Sequence, residues 1–215
     1  MTYSLIGRCP DTGMLGGIIS TSSPAVGARC LFVGNAGAAL SQYWTDPRLG
    51  QDTLAAIEAG ASPDAALDDM MTRPYHEVRQ LAALARDGSA AWRSGTKVAG
   101  EVSCATGPGC VAIGNILAND TIAPAMIEAF CAPVTAETTT PLAHRLLAAL
   151  KAGDAAGGEV KQVTSAAMKI MSGQRFPRAD LRVDFSEAPI AALEGLWARY
   201  EPDVEAYEKR ALAPF

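Results

Sequence analysis

Met1-Thr2-Tyr3-Ser4-Leu5-Ile6 opens the chain: a small residue behind the initiator methionine, then an extended, apolar-rich run. Ribosomal methionine is normally trimmed when the next residue is as small as threonine, so the expected mature chain begins at Thr2. Trimming leaves a free α-amine beside the residue's own hydroxyl. An α-amine titrates near ~7.7–8 and is partly neutral at physiological pH, so it can accept a proton. A threonine activated by its own terminal amine is a recognised form of covalent catalysis. Thr2 is equally a common strand opener, because β-branched side chains suit a pleated surface.

Outward from this run, residues 2–8 read as a strand, Pro10-Asp11-Thr12-Gly13 as a turn, and 14–20 as the returning strand. Leu15-Gly16-Gly17-Ile18-Ile19 carries no large polar group, so both faces of that strand are expected to be buried. Residues 29–33 and 36–42 read as a second hairpin turned at Gly34-Asn35, followed by a helix over 50–59. Ser62 caps a second helix running through Met71, with Pro63 at its first position. Residues 77–85 and 90–93 flank the turn Arg86-Asp87-Gly88-Ser89, and 102–105 and 110–113 flank Gly107-Pro108-Gly109. Helices are predicted over 122–131 and 141–152, strands over 162–170 and 181–185, and a final helix over 189–209 that Pro202 kinks or interrupts. Consecutive hairpins mean antiparallel sheets, and helices grouped in pairs suggest layers outside them. A βαβ-repeating parallel fold does not suit this order.

Composition narrows the function classes. The 215 residues suffice for one sizeable domain, expected to span 1–215, and 49% hydrophobic residues allow a substantial core. The net charge is −5 and the 18 basic residues are scattered, so no nucleic-acid partner is expected. No apolar run approaches the ~18 residues of a membrane span, and no signal peptide is read at the start, so no membrane partner and a cytoplasmic location are expected. Five cysteines without CxxC or zinc-ligand spacing fit reduced thiols in a cytosol. The two histidines, His76 and His144, exclude a histidine-rich metal centre, and no cofactor is expected.

Several segments can carry chemistry, and each has a plainer reading. Thr21-Ser22-Ser23-Pro24-Ala25-Val26-Gly27 is a hydroxyl-rich loop directly after the second strand, either a site or a self-capped turn. Arg29 enters the next strand near that loop, or is a surface arginine. Asn115, in Gly114-Asn115-Ile116-Leu117-Ala118, ends a strand, where its amide could donate to a developing oxyanion or sit in a left-handed turn. Arg79-Gln80 puts two long polar side chains in a strand that must give them partners or an edge. Residues 153–158, Gly-Asp-Ala-Ala-Gly-Gly, are not a phosphate loop: they lack the Gly-Lys-Ser/Thr ending and precede a strand. No Gly-x-Ser-x-Gly elbow, HExxH or GxGxxG occurs.

Together these strings resemble the bacterial domain of unknown function 1028 family, placed among the Ntn (N-terminal nucleophile) hydrolase-like proteins. Residues 2–13 are similar to its TFSIVARDPxTG-like opening and 25–29 to its AVGAR-like string. Residues 42–50 resemble a glutamine strand with a Pro-x-x-Gly segment, and Arg79-Gln80 an RQ pair. Residues 113–118 resemble QGNILA, 146–159 LLAAL-x-AG-x-AAGGD, and 180–184 DLRVD. The order holds along nearly the whole chain. Cys9 stands where the family has an acidic residue, and Gln162-Val163-Thr164-Ser165 where it has an arginine-glutamine-serine approach to the late strand.

The resemblance implies an α+β fold, a four-layer αββα sandwich of two antiparallel sheets with Thr2 at the start of a central strand. It implies hydrolysis of a small amide or related C–N acyl bond through a Thr2 acyl-enzyme, with Asn115 or a backbone amide holding the oxyanion. Ser22 and Arg29 would orient the terminal amine, by analogy with proteasome-type relatives, although the acidic member of that arrangement is missing. Gln42, Arg79, Gln80 and Ser23 are the candidates for recognising a small-molecule substrate, since arginine forks match carboxylates. A homodimer is expected by the same analogy. The rival readings are a non-catalytic ligand-binding or assembly protein on the same fold, and an enzyme using Cys9 or Cys30 as nucleophile.

Overall fold

The computed structural model describes residues 1–135 and 137–215. Strands β1 (Thr2–Arg8) and β2 (Leu15–Thr21) form the expected first hairpin, and β1 pairs on its other side with β8 (Cys110–Leu117). With β7 (Glu101–Gly107), β9 (Ser165–Met171) and β10 (Ala179–Val183) they make a six-stranded antiparallel sheet, order β10-β9-β2-β1-β8-β7. A second sheet of four antiparallel strands, order β3-β4-β5-β6, comprises β3 (Leu31–Val33), β4 (Gly37–Tyr43), β5 (Arg79–Ala85) and β6 (Ala90–Ser94).

Strict alternation along the strands builds three cores. In β1, Tyr3 and Leu5 face α4 (Ile122–Cys131) and α5 (Pro141–Ala155), while Ile6 faces the space between the sheets. In the small sheet, Leu40, Ala82 and Leu84 face that same space. Leu81 and Ala83 face away, toward α2 (Pro47–Glu58) and α3 (Pro63–Met70). α6 (Pro189–Tyr200) covers β9 and β10 through Leu193 and Trp197. The layers are therefore helix, sheet, sheet, helix, as the hairpin order predicts. Pro202 does interrupt the last helix: a 3-10 turn over Glu201–Asp203 separates α6 from α7 (Val204–Leu212).

Some predicted boundaries move, each for a local reason. Arg29 is not in a strand; Gly27–Cys30 forms a short helix, α1, with Cys30 N–H bonded to Val26 O at 3.1 Å, and β3 begins only at Leu31. Helix α2 starts at Pro47 rather than Gly50 because Asp46 accepts from Arg48 N–H and Pro47 suits the first turn. β9 starts at Ser165 rather than Gln162, and β10 spans Ala179–Val183, two residues earlier at each end than the strand read over 181–185. β8 runs on through Leu117, so Asn115 lies inside a strand rather than in a turn.

β1 is held tightly from below. A Cβ built on Gly7 would lie 2.3 Å from the Phe130 ring, which is itself 1% exposed. Gly7→Ala should therefore overpack the core beneath the central strand and cost about 1–3 kcal/mol. Urea denaturation of the two proteins checks this.

Candidate functional site

The space between the sheets is apolar at one end and polar at the other. The apolar end holds Ile6, Leu15, Val33, Leu84 and Val111. The polar end holds Thr2, Ser4, Thr21, Gln42, Gln80 and Asn115, all buried. Thr2 stands at this end, directly opposite Asn115 in the β1–β8 register. Its Oγ1 lies 3.3 Å from Thr21 Oγ1 on β2. Both hydroxyls also donate to the carbonyl oxygen of Met1.

Three carboxamides form the wall beside Thr2. Ser4 Oγ donates to Gln42 Oε1 at 2.8 Å, and Gln42 Nε2 donates to Gln80 Oε1 at 2.7 Å. Asn115 Nδ2 donates to the same Gln80 oxygen at 2.8 Å. Gln80 Nε2 must point the other way, because it donates to Gly114 O at 2.9 Å and Ser94 Oγ at 3.1 Å. These partners fix every amide orientation in the chain. Asn115 Nδ2 gives one of its two N–H groups to Gln80, and its buried Oδ1 has no hydrogen-bond partner among the described residues. The geometry thus offers Asn115 as an acceptor beside Thr2, with one N–H still uncommitted.

β8 is bulged next to this residue. Asn115 pairs with Val102 and Leu117 with Glu101, leaving Ile116 unpaired at φ +53°. A β-branched residue at positive φ is a strained outlier, of the kind that collects at functional sites. The extra residue flips the strand, so that Leu117 joins the core under the helices while Asn115 faces between the sheets. Leu117 then forms a bridge to Glu159. Glu159 is reached through Gly157 and Gly158, at φ +128° and +57°, conformations that glycine adopts without steric cost.

Glu159 is the residue that sequence reasoning missed. Its carboxylate accepts the Ser22 N–H through both oxygens, at 3.2 and 3.1 Å, and it is 9% exposed. Burial pushes its carboxyl above the usual range, against the Ser22 bonds and the positive α-amine. Desolvation likewise lowers the α-amine at Met1; Glu159 and then Cys30 oppose this, while the positive Lys161 adds to it. The available signal was the string 146–159, read only as a resemblance and as a rejected phosphate loop.

The other candidates divide. Ser22 is half-buried and Ser23 exposed in the loop after β2, with Ser23 contributing its carbonyl to Ser165 Oγ at 2.6 Å. Arg29 is exposed and donates to Pro24 O at 2.9 Å, steadying that loop. Arg79 and Gln80, adjacent in β5, point to opposite faces. Arg79 donates to Trp44 O, lies 3.9 Å from Asp46, and lines a separate surface cavity of about 360 Å³ with Arg48, Arg73 and Tyr75. Cys9 and Cys30 are both buried, at 0% and 3% exposure, and burial raises the Cys30 thiol, which disfavours the thiolate a nucleophile needs. Among the described residues, no group of three or more His, Cys, Asp or Glu side chains could hold a metal ion. No helix among them is long and apolar enough to cross a membrane.

The chain belongs to the family of unknown function DUF1028, whose model matches residues 2–193. It is similar to the crystal structure of protein SPO2555 from Silicibacter pomeroyi, of the same family. The two are 32% identical with a TM-score of 0.83, over 93% of this chain and 88% of that one. No curated protein matches the chain.

The amide wall sets a test of its own. Gln80→Leu removes the acceptor of Asn115 Nδ2, the donor to Gly114 O and the shorter of two bonds from Gln42 Nε2, and is expected to cost about 2–4 kcal/mol, at ~1–3 kcal/mol per orphaned buried group with some relaxation. Chemical denaturation measures it, and a loss under about 0.5 kcal/mol would show that the wall is not a single connected unit.

Proposed function

We propose that this chain is an N-terminal-nucleophile hydrolase that cleaves a small amide or related C–N acyl bond other than a peptide bond. One observation carries the reading. The only residue whose freed amine and hydroxyl could act together, Thr2, stands at the start of a central strand, at the polar end of the space between two sheets. The four-layer order and that position are what the resemblance to the Ntn type implies.

In this mechanism, removal of Met1, or of a longer segment ending in it, frees the Thr2 amine and releases the Thr2 and Thr21 hydroxyls from the Met1 carbonyl. Thr2 Oγ1 attacks the acyl carbon and the neutral amine takes the hydroxyl proton. The tetrahedral intermediate collapses as the C–N bond breaks, and the amine returns that proton to the leaving nitrogen. Water then hydrolyses the Thr2 ester by the same proton path. Asn115 Oδ1, the free acceptor across from Thr2, receives an N–H of the Thr2 amine or substrate. The second N–H of Asn115 Nδ2, or a backbone amide, holds the oxyanion. Gln42 and Gln80 form the rigid wall of the site, and Arg29 acts through the loop that it steadies.

A second reading has its own support. With Met1 retained, its carbonyl occupies both hydroxyls, which suits a non-catalytic ligand-binding protein on the same fold. We also propose a cytoplasmic homodimer, in keeping with five unpaired cysteines. Light scattering that gives a monomer at micromolar concentration removes the dimer.

Turnover decides between the two main readings. Once a panel of small amides, lactams and ureido acids has yielded a substrate, Thr2→Ala should abolish turnover while circular dichroism stays unchanged. Thr2→Ser should keep partial activity, since the hydroxyl survives without the methyl that restricts its rotamer. Full turnover by Thr2→Ala, or active protein that is uniformly Met1-initiated by intact mass, would sink the Ntn mechanism.

A further inference from the structure

We infer that Glu159 is a positioning residue, the built-in counter-ion that holds and orients the α-amine of Thr2 once that amine is free. This rests on the reading of Thr2 as the mature N-terminus, and it supplies the acidic member that the sequence lacks on the strands nearest Thr2.

The argument is first topological. β1 starts at Thr2 and β2 ends at Thr21, with Ser22 the next residue of the chain, while β8 continues past Asn115, the partner of Thr2, through its bulge to Leu117. The slot left beyond the first residue of β1 is closed by one side chain. Glu159 is anchored to Leu117 by its bridge, with Ala118 N–H bonded to Gly158 O at 3.0 Å on the same side. It then reaches across to the Ser22 N–H with both carboxylate oxygens. The carboxylate therefore spans the gap in which the free amine of a chain beginning at Thr2 would lie.

The second argument is electrostatic. A buried carboxylate is ordinarily paired, because an isolated buried charge is costly. Glu159 has no Lys, Arg or His salt-bridge partner among the described residues; the groups that favour its charged form are the Ser22 N–H, the Ser22 and Thr21 hydroxyls and the α-amine. The positive group that acts on it is the α-amine, here that of Met1 directly ahead of β1, and the exposed Lys161 lies two residues away on its own segment. The other titratable groups around the amine and Glu159 are Cys30, with Arg29 acting on it, and Tyr3, whose hydroxyl donates to Asp154 at 3.1 Å. Glu159 also lines an open cavity of about 360 Å³ with Lys161 and Gln162, which gives the slot access to solvent.

Labelling of the α-amine tests the pairing without any substrate. Protein beginning at Thr2 is treated with acetic anhydride near neutral pH, and N-terminal acetylation is followed by mass spectrometry. Glu159→Gln removes the charge and keeps an oxygen that accepts from Ser22. The amine then gives up its proton more readily, so acetylation should speed up roughly tenfold, the effect of losing one opposite charge at close range. An unchanged rate in the folded variant overturns the inference. If the variant does not fold, the unsubstituted protein serves: the Glu159 carboxyl, followed by carbon-13 NMR, should titrate at higher pH after the α-amine is acetylated, and an unmoved titration overturns the pairing. Neither readout requires turnover. An active Thr2→Ala protein would remove the catalytic reading and leave the ion pair standing, whereas unmoved labelling beside an inactive Thr2→Ala protein would remove the ion pair alone.

Discussion

The chain of carboxamides from Gln42 through Gln80 to Asn115 is the constraint on which the site depends. Elsewhere the sheets meet through Ile6, Leu40, Leu84 and Val111, whose contacts are non-directional and tolerate sliding. The amide chain does not. Gly114 O and Ser94 Oγ set the direction of Gln80, Gln80 sets Gln42 and Asn115, and Ser4 closes the far end. Each bond contributes about 1 kcal/mol net, but leaving one group unmade costs about 1–3 kcal/mol, so a register slip between the sheets is penalised at several points together. The same directionality delivers a free acceptor, Asn115 Oδ1, opposite Thr2. One network both locks the sandwich and sets the polarity of its open end.

Local strain is placed where it changes connectivity. The bulge at Ile116 lets a single strand supply Asn115 to the layer between the sheets and Leu117 to the core beneath the helices. Without the extra residue, Leu117 would share Asn115's face, and the bridge to Glu159 would form on the wrong register. Gly157 and Gly158 make the complementary adjustment, turning the chain from the end of α5 back onto β8. Two departures from regular geometry thus converge on one carboxylate.

The sequence was legible wherever a local rule decides the structure. The apolar-rich runs at 2–8 and 14–20, the turn at Pro10 to Gly13, the Ser62-Pro63 cap and the break at Pro202 all belong to this class, and the layer order followed from the hairpins and helix pairs. Arg29 was misread because a four-residue helical turn has no periodicity to detect. Arg79 and Gln80 are both substrate candidates by sequence, but the period of two in a strand sends neighbours to opposite faces, so only Gln80 lies between the sheets. Glu159 was invisible for another reason. Its environment depends on Leu117, Ser22 and Gly158 meeting across more than 130 residues of chain, as in the Ser22–Glu159 bond with its separation of 137. No composition or spacing near Glu159 reports that closure.

The two ionisable groups at the mouth of the site constrain each other. Burial raises the Glu159 carboxyl and lowers the α-amine of Met1, so each alone would drift toward its neutral form. Their mutual attraction opposes both drifts. In a chain that begins at Thr2, the proposed pair would be subject to the same two opposed influences. A fully exposed pair would lack the desolvation that loosens the amine's proton, and a fully buried carboxylate without Ser22 would not hold its charge. The half-open slot at the start of β1, closed on one side by the bulged strand and on the other by the loop after β2, satisfies both conditions at once.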